Sequence, residues 1–256
     1  MLENGANTSF INLVENPDIP PEEITRDPVT VWLNGKPEGL PLPAALYGSR
    51  RRNAQGLNLA DPQIRQQIQQ ALDQLADKFH QAAPWIDGTA HAGRTQAIAA
   101  PYDHREIVGE AVYGNRETAV DALDAAVAGF DSWRLQPVEQ RAACLLKAAD
   151  LMEQQRMHLV SLCVREGGRT IRDALAEVRE AVDFCRYYAA NALELFGKPV
   201  TLPGPTGEIN QLRYSGRGVF VCISPWNFPV AIFTGQIAAA LVAGNTVIAK
   251  PAERTT

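Results

Sequence analysis

The 256-residue sequence predicts an α/β fold, and three observations carry that prediction. Apolar residues recur at spacings of three and four through the middle of the chain, the mark of amphipathic helices. Two short, unbroken apolar runs near the carboxyl end flank a longer apolar stretch bounded by turn residues, which reads as strand–helix–strand. Just before that unit, a Gly- and Pro-rich stretch at about 198–217 reads as a protruding β-hairpin.

Taken in order, the first ~60 residues differ from the rest. Pro17, Pro20, Pro21, Pro28, Pro37, Pro41 and Pro43 interrupt any long helix or strand. This stretch is expected to be a connector with short strand-like pieces such as Val29 to Leu33, and a chain that opens this way reads as a portion of a longer protein. Asp61 then stands as an N-cap with Pro62 at the first helical position. Ile64, Ile68, Leu72, Leu75 and Phe79 follow as one apolar stripe. A loop containing Pro84, Gly88, Gly93 and Pro101 is expected next. A second helix covers about Glu117 to Trp133, with Val120, Leu123, Val127 and Phe130 as its stripe. A third starts at Pro137 and carries Leu145, Leu146, Ala149 and Met152. Its short continuation, Met157 to Glu166, ends at Gly167-Gly168.

The helix from about Thr170 to Phe196 says more. Ile171, Leu175, Val178, Val182 and Cys185 form its core stripe. Glu180, Phe184 and Tyr187 fall on the other side at i, i+4 and i+7. Two readings fit them: a second packing surface that tolerates an acid, or a channel wall where a carboxylate meets a cationic ligand.

Gly218 to Ile223 has the composition of a strand buried on both faces, Ser224 to Pro229 is a turn, and Val230 to Ala243 is an apolar helix closed by Gly244. Thr246 to Lys250 is the second strand, closed by Pro251. Parallel strands place the residues just beyond their carboxyl ends, Ser224–Asn227 and Lys250–Glu253, on one sheet edge, and ligands bind outside such edges in open α/β sheets. Lys250 suits a phosphate or ribose oxygen, and Glu253 can accept from ribose hydroxyls. An acid at this place disfavours a 2′-phosphate and favours NAD over NADP. The Gly-rich dinucleotide fingerprint is absent, so a plain structural unit with a surface Lys–Glu pair fits as well.

Composition excludes some classes. The chain is 46% hydrophobic and 21% charged with a net charge of −5, an ordinary globular balance without the basic excess of a nucleic-acid binder. Arg50-Arg51-Arg52 on a connector reads as a solvated or ion-paired patch. No apolar run approaches the ~20 residues of a membrane span, and no signal peptide is visible. Cys144, Cys163, Cys185 and Cys222 lack metal-ligand spacing and sit among apolar residues, so reduced, buried thiols in a cytoplasmic protein are expected.

Three ordered motifs then carry a resemblance. Ile223-Ser-Pro-Trp-Asn-Phe-Pro229, Ala240-Leu-Val-Ala-Gly-Asn245 and Lys250-Pro-Ala-Glu-Arg-Thr255 resemble the aldehyde dehydrogenase superfamily. The likeness extends over most of 85–256, including Phe130-Asp-Ser-Trp133 and the helix of Arg141. It implies that residues 61–256 form the amino-terminal part of a Rossmann-like NAD-binding domain. Ile223, Ser224, Pro225 and Trp226 would then line the nicotinamide side, and Lys250, Pro251, Ala252 and Glu253 the adenosine side. Asn227 matches the Asn whose side-chain amide helps form the oxyanion hole, and Phe228 falls on the substrate side. Donors of that kind contribute ~10²–10³ in rate.

Leu2-Glu-Asn-Gly-Ala-Asn-Thr-Ser-Phe10 and Leu40-Pro-Leu-Pro through Asn53 further resemble the bifunctional proline-utilisation enzymes. On that likeness, residues 1–28 are the end of a proline dehydrogenase barrel and 29–60 its connector to the second enzyme. The substrate implied is glutamate semialdehyde, opened from pyrroline-5-carboxylate. Asp183-Phe184 and Arg186-Tyr187-Tyr188 match that subfamily's substrate-side helix, and they make Glu180 the partner of the substrate ammonium. NAD is the implied cofactor, with FAD confined to the barrel, and the 198–217 hairpin is implied to mediate homo-oligomerisation.

Aldehyde dehydrogenases use a Cys nucleophile and a Glu base that both lie downstream of the oxyanion Asn. No Cys follows Cys222 in this sequence. The 256 residues are therefore expected to be inactive alone, and to be poorly stable with one sheet face uncovered. Two rivals remain at this stage: an aldehyde dehydrogenase of other specificity, and a non-catalytic nucleotide-binding or oligomerisation module.

Overall fold

The computed structural model describes residues 10–35 and 41–256, and within them the chain divides into two compact units, 1–42 and 43–256. The Leu2–Ser9 part of the first motif, together with Pro37 and Leu40, lies outside the described residues.

The first unit holds α1 (Phe10–Glu15), α2 (Pro21–Ile24) and α3 (Pro28–Asn34). The strand-like reading of Val29–Leu33 is corrected here, because the segment is helical. Asp27 accepts from the Val29 amide at 3.0 Å and Pro28 occupies the first turn, so a cap and a pre-set φ outweigh the β-branched residues.

In the second unit, a 3-10 turn at Pro43–Ala45 precedes α4 (Pro62–Asp73). Asp61 caps α4 through the Gln63 amide at 2.8 Å. The helix stops before Phe79, which is 56% exposed, and only Ile68 of the expected stripe is fully buried. The expected loop after it contains five strands. They are β1 (His80–Ala82), β2 (Trp85–Ile86), β3 (Thr89–Ala90), β4 (Arg94–Ala100) and β5 (Asp103–Tyr113). β5 is central, parallel to β1 and antiparallel to β4, with register shifts at Ile98–Ala100. β2 and β3 form a hairpin around Asp87-Gly88, both at positive φ.

Five helices of the unit follow: α5 (Arg116–Arg134), α6 (Val138–Gln154), α7 (Arg156–Arg165), α8 (Ile171–Phe196) and, after a hairpin and one strand, α9 (Ala231–Val242). Asn115 and Thr118 form a reciprocal capping box at the start of α5. The α5 stripe is not buried: Val120, Leu123 and Val127 are each exposed. Its small residues face the sheet instead, where the Thr246 hydroxyl donates to the Ala126 carbonyl at 2.8 Å.

α8 organises the core. One cluster joins it to α6 and α9 through Val138, Ala142, Leu145, Ala149, Val182, Cys185, Ala189, Ala238 and Val242. The other joins it to α4 and α7 through Ile68, Val160, Cys163, Ala174, Leu175 and Val178. The abundance of alanine lets helices approach closely, so truncations of the few large members, such as Leu145, should cost about 2–5 kcal/mol.

Residues 50–54 dock onto this core chiefly by ions. Arg51 donates to Asp183 at 3.2 Å, and the Ala54 amide reaches the same carboxylate at 2.9 Å. Arg50 pairs with Glu194 and Arg52 with Glu153, so the triple arginine is an ion-paired patch as expected.

The hairpin is β6 (Val200–Leu202) with β7 (Asn210–Leu212), antiparallel. β8 (Val219–Ile223) and β9 (Thr246–Lys250) pair in parallel around α9. One difference from expectation concerns β8. Phe220, Val221 and Ile223 are exposed, so α9 and α5 leave part of this apolar strand uncovered. Gly244 ends α9 at φ +88°, a conformation that favours glycine. Among the described residues, no helix is long and apolar enough to cross a membrane.

Candidate functional site

The parallel register aligns Ile223 with Lys250, so both strands end at the same level. The Ser224 amide donates to the Lys250 carbonyl at 3.1 Å, which ties the two turns together where they leave the sheet. A second tie runs from the Thr255 hydroxyl to the Trp226 carbonyl at 3.4 Å. Ile223, Ser224, Pro225 and Trp226 therefore share one edge with Lys250, Pro251, Ala252 and Glu253. Ser224 and Ala252 are buried within that edge, whereas Ile223 and Trp226 present apolar surface to solvent.

Lys250 Nζ lies 2.9 Å from Glu253 Oε1. The hydrogen bond from Lys250 holds the Glu253 carboxyl below the usual carboxylate range. Tyr113 donates its hydroxyl to the Glu253 carbonyl at 2.9 Å, anchoring the backbone of that turn to β5. The edge thus offers a cation, an anion and an apolar shelf. That set fits the phosphate, ribose and nicotinamide portions of a dinucleotide.

Buried Asn245 braces the same unit from below. Its Oδ1 accepts from the amides of Arg217 and Gly218, and its Nδ2 donates to the Ala240 carbonyl at 3.1 Å. The start of β8 and the end of α9 are held by one side chain.

Asn227 sits half-buried in the turn between β8 and α9. Its side-chain amide has no hydrogen-bond partner among the described residues, while its carbonyl accepts from Arg169 Nη1 at 2.7 Å. The Arg169 guanidinium also lies over the Phe228 ring, 5.0 Å from its centroid. Arg169 Nε is 3.6 Å from Glu177 Oε2, and the Glu177 side chain is fully buried. Glu177 Oε1 accepts from the amides of Val230 and Ala231, at 2.9 and 3.3 Å. Those are unsatisfied donors at the start of α9, which has no side-chain cap of its own.

Glu180, three residues on, is exposed and has no hydrogen bond or ion pair among the described residues. Nothing of that kind joins it to Asn227. Its neighbour on the same face has a packing role: the Phe184 ring stacks on Tyr188 with centroids 5.9 Å apart, and it lies over Gly235 of α9. For Phe184, then, the packing surface is the correct alternative.

Sequence reasoning missed Glu177 and Arg169. A signal existed: Ala174, Glu177, Ala181 and Cys185 follow one another at helical spacing, and all four are buried. A carboxylate within a stripe of small buried residues needs partners.

Among the cysteines, burial pushes the Cys163 thiol up to about 12, with the Glu177 charge adding to it, and burial pushes Cys185 up to about 11. Neither suits a nucleophile, which must ionise near neutral pH. The expectation of four buried thiols is corrected at Cys144, which is exposed on α6. Among the described residues, no cluster of His, Cys, Asp and Glu could hold a metal ion.

Comparison with known proteins adds the family. The model of the "Aldehyde dehydrogenase family" matches residues 85–256. The chain is 42% identical to "Bifunctional protein PutA" of Escherichia coli (strain K12), over all of this chain and 19% of that protein. The crystal structure of proline utilization A (PutA) from Bdellovibrio bacteriovorus matches with a TM-score of 0.79 at 33% identity, over 99% of this chain and 26% of that one. A 1-pyrroline-5-carboxylate dehydrogenase variant of Thermus thermophilus matches with a TM-score of 0.75 at 37% identity, over 80% of this chain and 40% of that one. The chain therefore spans about a fifth of the length of the bifunctional relatives it matches.

Proposed function

The chain belongs to the aldehyde dehydrogenase family, and on that premise we propose that it is part of an enzyme that oxidises L-glutamate γ-semialdehyde to glutamate with NAD in proline catabolism. Its relatives over the full chain are bifunctional, and the separate relatives carry the name 1-pyrroline-5-carboxylate dehydrogenase.

The observation that carries this reading is the paired edge. The turns after β8 and β9 are tied at one level, with an unengaged Asn227 amide beside one and the Lys250–Glu253 pair on the other. Lys250 and Glu253 hold the adenosine ribose, with Pro251 and Ala252 as the wall between them. Ile223, Ser224, Pro225 and Trp226 form the nicotinamide side, and NAD, when bound there, supplies the hydride acceptor. Glu253 favours NAD because a 2′-phosphate beside its carboxylate is repelled.

Asn227 acts on the substrate oxygen. Its amide donates to the aldehyde oxygen as that atom gains negative charge, in a position already held before substrate arrives. Phe228 flanks the substrate, and Glu180 is the carboxylate for its ammonium group. Residues 1–28 then correspond to the end of a proline dehydrogenase barrel whose cofactor is FAD, 29–60 to the connector, and 61–256 to the dinucleotide-binding domain. The β6–β7 hairpin mediates homo-oligomerisation, in a cytoplasmic enzyme.

The test is an assay of the full-length enzyme for NAD reduction. Rapid reduction with pyrroline-5-carboxylate and slow reduction with simple aliphatic aldehydes is expected, with NAD preferred to NADP. Equal rates across aldehydes would leave the family intact and discard the substrate.

A further inference from the structure

From the geometry around α9 we infer that Arg169 and Glu177 are positioning residues for Asn227, holding the oxyanion turn in register with the helix that follows it. This rests on the oxyanion role proposed for Asn227.

Three contacts from Arg169 converge on the turn: the Asn227 carbonyl at 2.7 Å, the face of Phe228 at 5.0 Å, and Glu177 at 3.6 Å. Glu177 closes the arrangement by accepting from the Val230 and Ala231 amides. The segment from Asn227 to Ala231 is therefore gripped at both ends by one ion pair whose members come from outside it. Arg169 is itself presented rigidly. It follows Gly168 at φ +63°, its amide donates to the Cys163 carbonyl at 3.1 Å, and that of Gly168 donates to Val164.

The grip falls on the backbone of Asn227 and leaves its side-chain amide unengaged among the described residues. Fixing the carbonyl fixes the peptide plane, and with it the Cα from which the side-chain amide projects. A donor misaimed by about 1 Å loses much of its effect on a developing charge. Arg169 Nε and Glu177 Oε2 are both buried and face each other across 3.6 Å as an ion pair, so removing either member leaves the other's charge uncompensated beside the turn.

A double-mutant cycle in the full-length enzyme tests the inference. Asn227→Ala should lower kcat by ~10²–10³, and Arg169→Met by about tenfold, with the NAD dissociation constant unchanged. In the Asn227→Ala background, Arg169→Met should lower kcat no further, because the residue it positions is gone. If Arg169→Met fails to fold, the cycle is run with Arg169→Lys, whose point-like ammonium lacks the planar guanidinium that reaches the Asn227 carbonyl through Nη1 and faces Glu177 through Nε. A severalfold loss of kcat that vanishes beside Asn227→Ala is then expected. Losses that multiply would overturn the inference and leave the oxyanion role standing, as would an Arg169 variant with unchanged kcat. If Asn227→Ala itself leaves kcat intact, the oxyanion role falls and the inference with it.

Discussion

The two ends of α9 are each held by a charged side chain from another helix, and they are held differently. At the amino end, buried Glu177 accepts from Val230 and Ala231. At the carboxyl end, buried Arg141 donates to the carbonyls of Val242, Gln136 and Arg134, with Trp133 Nε1 on the Leu241 carbonyl beside it. An acid at the amino end and a cation at the carboxyl end both complement the helix dipole. The carboxyl end is held through its Leu241 and Val242 carbonyls and closed by Gly244. The amino end rests on one carboxylate, whose ion-pair partner Arg169 also holds the Asn227 carbonyl. The same physics anchors one end and, on the role proposed for Asn227, aims the other.

Substitutions can separate these roles. The largest stability effect is expected at the closed end: Arg141→Met leaves the buried Val242 carbonyl and the part-buried Gln136 and Arg134 carbonyls without this donor, so a loss of about 2–3 kcal/mol is expected in urea denaturation. Activity per folded molecule should be kept. Glu177→Gln retains an acceptor for the two amides and removes the charge. It should cost roughly 1–2 kcal/mol and lower kcat more than it lowers stability. Equal behaviour of the two variants would erase the distinction between the ends.

A smaller effect is expected three residues away. Glu180→Ala should leave stability within about 0.5 kcal/mol, since the side chain is exposed. It should raise KM for glutamate semialdehyde and spare simple aldehydes. An equal rise for both would remove Glu180 from the substrate site.

The thiols give the mildest contrast. With native protein at neutral pH, alkylation followed by peptide mapping should mark Cys144 and leave Cys163 and Cys185 unmodified. The Cys163 thiol is raised from an ordinary value of 9.0 to about 12 when folded. Its contribution to stability is thus complete below pH 9 and is lost as pH climbs towards 12. A stability curve flat through that window in wild type, and unchanged in Cys163→Ala, would contradict the assignment.

Much of this was legible in the residues, and the exceptions have physical reasons. Asp61-Pro62, Thr170 and Gly244 marked helix ends by local chemistry, and the structure places them there. The β8–α9–β9 unit was legible because two short unbroken apolar runs and a nearly all-apolar helix leave little ambiguity of period. The β1–β5–β4 sheet was not, because Gly93, Pro101 and scattered charges mask its alternation, although Asp87-Gly88 was a usable hairpin signal. α3 was misread because β-branched Val29, Thr30 and Val31 suggest a strand, while the cap that decides the matter, Asp27, sits two residues before them. On α5, the large residues drew attention, and the small ones meet the sheet.

The candidate site divides in the same way. Asn227, Lys250 and Glu253 stand in short contiguous motifs, where spacing alone indicates a shared edge. Arg169 and Glu177 act on that edge from more than 50 residues away. Only the packing of α8 against α9 brings them there. A buried acid in a stripe of small residues was the trace they left.

The central claim is that the tied ends of β8 and β9 hold the dinucleotide, and calorimetric titration of the full-length enzyme with NAD tests it most directly. Lys250→Met should weaken binding about tenfold, the loss of roughly one charge-assisted hydrogen bond, with the melting temperature unchanged. An unchanged dissociation constant in that variant would contradict the account.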